Sequence, residues 1–254
     1  MGTDCALRYK PAGQEDERHM TAELYCAIDR ADLEGARDLA LAVSGEVDGF
    51  KLGLEFFTAN GPEGVRAMAA FGRPIFLDLK LHDIPNTVAG AVRAAAGLGV
   101  ALLTVHCSGG PTMLRRAIEA AHEMRGAPAL IGVTVLTSLD EGDLETVGQN
   151  GPIADQVLRL AELAQIGGLG GVVCSAHEIG PLRARSGPGF RLVVPGIRPE
   201  GGSAGDQKRV LGPAAAVARG ADILVVGRPI TAADDPAAAA AAIRAEMTGE
   251  TVVV

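Results

Sequence analysis

Phe76-Leu-Asp-Leu-Lys-Leu-His-Asp-Ile-Pro-Asn-Thr87 begins as an apolar strand and then gathers Asp78, Lys80 and Asp83 where that strand should end. Asp78 and Lys80 are two apart, so regular alternation puts them on one face of a strand. Asp83 has the opposite parity and stands beside Pro85's turn, so it belongs to the loop that follows. Two carboxylates around one lysine favour its charged form. A cation fixed between anions is poor packing material, but it suits an enzyme that stabilises and protonates a carbanion. The ordinary reading of such a triplet is a surface salt bridge, which contributes little. The rest of the chain decides between the two.

Outward from that segment, short apolar strands alternate with amphipathic or Ala-rich helical stretches. The pattern predicts strands at Leu24–Asp29, Gly49–Gly53, Ile75–Lys80, Leu102–His106, Ala129–Val135, Gly171–Cys174, Arg191–Val194 and Ile223–Val226. Helices are expected over Asp32–Val43, Pro62–Phe71, Thr87–Leu98, Pro111–Arg125, Pro152–Gln165, Glu178–Arg185, Pro213–Arg219 and Pro236–Thr248. Pro near helix starts and Gly after helix ends follow the usual capping asymmetry. Eight such units in 254 residues predict an α/β fold, a single-domain (β/α)8 TIM barrel over 21–254, with residues 1–20 as a tail or barrel cap. A doubly wound open sheet competes, but it normally has fewer strands and often a Gly-rich first turn, where this chain has Asp29-Arg-Ala-Asp32.

Barrel chemistry sits at the C-terminal ends of the strands. Those ends carry Asp29, Lys51, Asp78 with Lys80, His106, Thr137, Gly196 with Arg198, and Gly227 with Arg228. This convergence moves the Asp-Lys-Asp cluster from surface decoration to candidate catalytic array.

Composition narrows the partners. An apolar share of 48% supplies a large core, and the absence of Trp with only two Tyr leaves Ala, Gly, Val and Leu to fill it. A formal charge of −8 argues against a nucleic-acid footprint, which needs a basic face. It leaves room for an anionic small molecule held by a few local Arg and Lys residues. Cys5, Cys26, Cys107 and Cys174 form no CxxC pair and read as reduced thiols of a cytoplasmic protein. No apolar run reaches membrane-spanning length, and the first twenty residues lack a signal-peptide core.

Three patterns invite other readings. Gly201-Gly-Ser-Ala-Gly205 matches GxSxG but falls in a loop well past strand seven, not at a strand-to-helix elbow. Gly167-Gly-Leu-Gly-Gly171 follows a helix and precedes a strand, the reverse of a dinucleotide turn, and reads as a helix stop. His82 and His106 lie near acidic residues without HxH or HExxH spacing, which favours a polar supporting role over a metal site.

With these residues in view, the chain resembles the orotidine 5′-phosphate decarboxylases of bacteria. The likeness rests on Ala27-Ile-Asp29, Lys51-Leu-Gly53, the DxKxxDIxxT run of Asp78–Thr87, Val133-Thr-Val-Leu-Thr137, Pro195-Gly-Ile-Arg-Pro199, Gly205-Asp-Gln207 and Val226-Gly-Arg-Pro229. The resemblance implies decarboxylation of orotidine 5′-phosphate to uridine 5′-phosphate in pyrimidine biosynthesis, with no cofactor and no metal. It implies that Lys80 is the proton donor between Asp78 and a second subunit's Asp83, in a homodimer whose sites are shared. Asp29 and Lys51 would hold the ribose, Thr137 the pyrimidine side, and Thr87 would reach the partner's ligand. Gln207, Gly227 and Arg228 would hold the phosphate with Arg198 nearby, and the Gly-rich Pro195–Gln207 segment would be a lid. Two alternatives stay open: a metal-dependent sugar-phosphate decarboxylase or aldolase-like synthase on the same DxKxxD core, and a silent nucleotide-binding barrel.

Overall fold

Eight short strands, each hydrogen-bonded to the next in chain order, close on themselves where β8 pairs with β1. The computed structural model describes residues 22–199 and 211–249. The strands are β1 (Glu23–Ala27), β2 (Gly49–Leu52), β3 (Ile75–Leu81), β4 (Leu102–His106), β5 (Ala129–Val133), β6 (Gly171–Val173), β7 (Arg191–Pro195) and β8 (Ile223–Val226), all parallel. Around them run α1 (Leu33–Val43), α2 (Leu54–Ala69), α3 (Pro85–Ala96), α4 (Gly110–His122), α5 (Glu141–Thr146), α6 (Ile153–Ile166), α7 (Ile179–Ser186), α8 (Pro213–Ala218), α9 (Arg228–Thr231) and α10 (Pro236–Thr248). This is the predicted TIM barrel in one domain. Residues 1–20, read as a tail or cap, lie outside the described residues.

Strand parity sorts the core into two compartments. Tyr25, Ala27, Phe76, Leu102, Ile131, Val193, Ile223 and Val225 fill the barrel interior. Their neighbours of opposite parity, such as Leu24, Cys26, Phe50, Leu77, Leu103, Leu130, Leu192 and Leu224, pack outward against the helices. With so few aromatics, the barrel depends on two of them: Tyr25 meets Phe76 edge-on, with ring centroids 6.4 Å apart. Gly49 makes room for this pair, because a Cβ there would stand 2.3 Å from the Tyr25 ring.

The face at the strand starts is tied by arginines. Arg183 of α7 donates to the carbonyls of Gly187, Phe190 and Gly220 and pairs with Asp222, whose carboxylate also accepts the Leu192 N–H at 2.6 Å. Arg244 of α10 donates to the Glu46 carbonyl and to Asp48, which accepts the Leu24 N–H at 2.7 Å. Each carboxylate stands just before a strand and fixes where its neighbour begins. Conserving geometry at this end serves stability and leaves the other end for chemistry.

Several boundaries differ from the expected ones. β1 and β5 stop earlier than predicted, so Asp29 and Thr137 lie in loops above the strands. The second helix was expected from Pro62, but α2 starts at Leu54 and bends at Gly61, whose φ of 57° suits glycine. Pro62 restarts the helix after the bend rather than opening it. α5 was not anticipated; Asp140 and Asp143 cap it reciprocally, each side chain accepting the other's backbone N–H at 3.0 Å. The Gly167–Gly171 run is indeed a helix stop, since α6 ends at Ile166. Cys26, Cys107 and Cys174 are buried, and none of them forms a disulfide. Burial pushes the Cys26 and Cys107 thiols up to about 12, so they serve as small packing groups. Among the described residues, no helix is long and apolar enough to cross a membrane.

Candidate active site

At the C-terminal mouth of the barrel lies a cavity of about 290 Å³. Asp29, Lys51, Asp78 and Lys80 reach it from the first three units, and Thr137, Arg198, Gly227 and Arg228 from the later ones. Eight of the eleven residues selected from the sequence therefore share one pocket. Its remaining surface is largely apolar, with Val133, Val135, Val173, Val193 and Val225 continuing the interior layer upward. A polar grip over an apolar floor is the usual build of a small-molecule site.

Two ion pairs organise the charged side. Lys80 Nζ donates to Asp78 Oδ2 at 2.7 Å, both side chains being largely buried. Lys51 Nζ donates to Asp29 Oδ1 at 2.6 Å, with Lys51 buried and Asp29 reaching solvent. Asp78 and Lys80 do share the cavity, but not through regular alternation. The β3–β4 register slips between Leu77, opposite Leu103, and Leu81, opposite Val105, so β3 carries two residues more than its partner. Lys80 sits in that irregularity with φ +50°, the only non-glycine residue with positive φ among those described. Such backbone persists only where its surroundings hold it, and it clusters at functional sites.

What holds it is Thr104, a residue the sequence reading passed over. Its buried hydroxyl accepts the Lys80 backbone N–H at 2.7 Å and donates to Asp78 Oδ1 at 2.9 Å. The available signal was parity: Thr104 has the same inward phase on β4 as Leu102, and it is the polar exception in an apolar layer.

Arg198 and Arg228 bring two guanidinium groups to the same cavity. Burial, and after it the charge of Arg228, hold Arg198 below the ordinary guanidinium range. Cations pressed together at a pocket wall suit a multiply charged anion. The setting agrees, since barrel phosphate sites commonly form after strands seven and eight beside a short extra helix, here α9. Gln207, the remaining phosphate candidate, lies outside the described residues, as does most of the Pro195–Gln207 segment and the GxSxG pattern within it. Pro195, Gly196 and Arg198, at its start, line the cavity.

Asp83 and Thr87 do not line this cavity. Asp83 is exposed, its carboxylate accepting the Ile84 N–H at 2.6 Å, and Thr87 is exposed at the start of α3. Between them Ile84 leaves 68% of its surface open, unusual for a large apolar side chain. The chain thus displays Asp83, Ile84 and Thr87 outward beside its own site.

His82 and His106 stack with ring centroids 5.2 Å apart, and His106 Nδ1 lies 2.8 Å from Ser108 Oγ. Burial first, then the charges of His82 and Lys80, lower the His106 pKa from 6.5. Among the described residues, no three His, Cys, Asp or Glu are grouped to hold a metal ion.

Comparisons with known proteins agree with the geometry. Residues 22–243 match the model of the orotidine 5′-phosphate decarboxylase / HUMPS family. The chain is 54% identical over 233 residues to the orotidine 5′-phosphate decarboxylase of Paramagnetospirillum magneticum, covering 90% of this chain and 99% of that one. It is 52% identical over 229 residues to the enzyme of the same name from Thermobifida fusca, covering 90% and 97%. Among solved structures, orotidine 5′-phosphate decarboxylase from Lactobacillus acidophilus superposes with a TM-score of 0.77 at 36% identity, over 89% of this chain and 99% of that one. By a match spanning nearly the whole barrel, the chain belongs to the orotidine 5′-phosphate decarboxylase / HUMPS family.

Proposed function

We propose that the protein decarboxylates orotidine 5′-phosphate to uridine 5′-phosphate, the step that completes UMP synthesis, without a cofactor. The observation that carries this reading is the Asp78–Lys80 pair, 2.7 Å apart, in one cavity with Arg198 and Arg228. Loss of CO2 from C6 leaves a carbanion in the ring plane, where the π-system offers little delocalisation. A fixed ammonium at Lys80 answers that need directly: it stabilises the developing charge and then delivers its proton to C6. Preorganised charge of this kind is commonly the largest catalytic contribution.

The family resemblance supplies the roles of the remaining groups. Asp78 stands beside the departing carboxylate; two like charges about 4 Å apart repel by roughly 4 kcal/mol at an effective dielectric near 20. That repulsion is too small for so difficult a reaction, so remote binding energy has to contribute. Arg228, Gly227, Arg198 and Gln207 grip the phosphate, Asp29 and Lys51 hold the ribose, and Thr137 meets the pyrimidine side. Asp83 and Thr87 complete the site of a second copy in a homodimer, a reading supported by their outward display with exposed Ile84.

The test is a spectrophotometric assay with orotidine 5′-phosphate, with and without chelator. Turnover unaffected by EDTA is expected. Abolition by EDTA with recovery on adding Mg2+, or turnover of a sugar phosphate in place of the nucleotide, would overturn the proposal.

A further inference from the structure

Thr104 has one hydroxyl proton and two acceptor lone pairs. The Lys80 backbone N–H can only donate, so the threonine proton must go to Asp78, and the direction of both hydrogen bonds is fixed by chemistry. Asp78 then uses Oδ1 for Thr104, at 2.9 Å, and Oδ2 for the Lys80 ammonium, at 2.7 Å. The result is a closed ring: Thr104 grips the Lys80 main chain at one end and the Asp78 carboxylate at the other, while Lys80 Nζ returns to the same carboxylate.

The ring explains how β3 keeps its irregular end. The Pro74 carbonyl faces β2 and the Ile75 carbonyl faces β4, so regular alternation would turn the Lys80 N–H toward a β2 carbonyl. The slipped register between Leu77 and Leu81 turns it to β4 instead, onto the Thr104 side chain. A buried N–H left unpaired is costly, so some acceptor must replace the lost one. Thr104 supplies it from a side chain fully buried within β4. Without the hydroxyl, the Lys80 N–H loses its acceptor, and φ +50° loses the contact that holds it directly against the extended conformation lysine ordinarily adopts in a strand. Relaxation to that conformation would turn the ammonium from its present position against Asp78.

We infer that Thr104 is a positioning residue for the decarboxylation, locking the strained Lys80 backbone and the Asp78 carboxylate in register with each other. The inference rests on the roles proposed for Asp78 and Lys80. Thr104 does not line the cavity; it acts through Asp78 and Lys80, which do.

Thr104→Val keeps the shape and removes both hydrogen bonds, and Thr104→Ser restores them. Thr104→Val should lower kcat by about 10- to 100-fold, the usual consequence of leaving buried partners unpaired. KM for orotidine 5′-phosphate should stay within about threefold, because the lost interaction matters chiefly in the transition state. Thr104→Ser should recover most of the turnover. A merely structural threonine would lower the melting temperature without this split between kcat and KM. Should Thr104→Val not fold, Thr104→Cys carries the same test, a thiol being a poor donor and acceptor. An unchanged kcat, a loss confined to KM, or failure of Thr104→Ser to recover turnover overturns the role of Thr104. Lack of activity in the unsubstituted protein overturns the decarboxylase reading instead, so the two failures are distinguishable.

Discussion

If Asp83 works in the neighbouring barrel, two dead enzymes should make a live one. On the proposed mechanism, Lys80→Ala removes the ammonium that stabilises the carbanion; at a separation of about 4 Å and an effective dielectric near 20 that is worth roughly 4 kcal/mol, or about a thousandfold in rate. Losing the proton donor adds a further factor of about 10² to 10⁴. Asp83→Ala removes one carboxylate from a pair desolvated between subunits, at a cost of roughly 3–5 kcal/mol, or about a hundredfold to several thousandfold. Both homodimers should therefore be almost inactive. In a heterodimer, one site collects both lesions and the other collects neither, because each site takes Lys80 from one chain and Asp83 from its partner. Free exchange of equal amounts makes half the dimers mixed, so total activity should return to about a quarter of the unsubstituted level. Native mass spectrometry confirms the exchange, and the same sample is then assayed for loss of orotidine 5′-phosphate. Verified heterodimers with no recovered activity would mean that Asp83 serves its own barrel, and the shared site would have to be abandoned.

Arg228→Ala should weaken phosphate binding by about 10- to 100-fold, the effect of losing hydrogen bonds to a charged group. A substrate without the phosphate should distinguish the two proteins far less; equal damage with both would place Arg228 elsewhere. His106 titrates below 6.5 in the folded state, because burial and then the His82 and Lys80 charges disfavour its cation. The unfolded chain therefore takes up that proton first, so stability is full above pH 6.5 and declines as pH falls from there toward the depressed native value. His106→Gln should flatten this decline in melting temperature against pH, and an unchanged slope would contradict the burial argument. Arg183→Ala strands the Asp222 carboxylate and three carbonyls at the strand starts, and should cost roughly 3–5 kcal/mol in denaturant unfolding while kcat stays the same.

The barrel was legible because every strand is a short apolar run followed by a helix with Pro near its start or Gly past its end. Leu102–His106 and Ile223–Val226 were predicted to the residue for that reason. Departures occur where no such punctuation exists. Leu54–Asn60 carries two Phe, a Thr and an Asn, weak helix formers held helical by burial of Phe56, and only Pro62 announced a helix. The charged array was legible because strand ends and strand parity are both countable in sequence. The irregularity at Leu77–Leu81 was not, since Asp78 and Lys80 look correctly phased for an ordinary strand. Thr104 was hidden by the same habit of reading: a threonine within a strand passes as a β-former, and only its inward phase marks it as the residue that anchors the array. Asp83 and Thr87 differ again, because one chain shows them only as exposed.

The local charge of the cavity resolves an apparent contradiction in composition. The chain as a whole carries −8, yet its substrate bears a phosphate and a carboxylate. Lys51, Lys80, Arg198 and Arg228 set four cations against the two carboxylates Asp29 and Asp78, which leaves the mouth of the barrel at +2 within an acidic protein. Apolar walls confine that field, and a confined field draws an anionic ligand more strongly than the same charges spread over a surface. The net charge thus describes the outside of the barrel and its solubility, while binding depends on the few cations fixed at the strand ends. The same arrangement sets the two jobs apart in space. On the proposed reading, Arg198 and Arg228, from the last two units, hold the end of the substrate that does not react, and Lys80, from the third, meets the end that does. Binding energy gathered at the phosphate can then press the pyrimidine carboxylate toward Asp78, where like charge is relieved only when CO2 leaves.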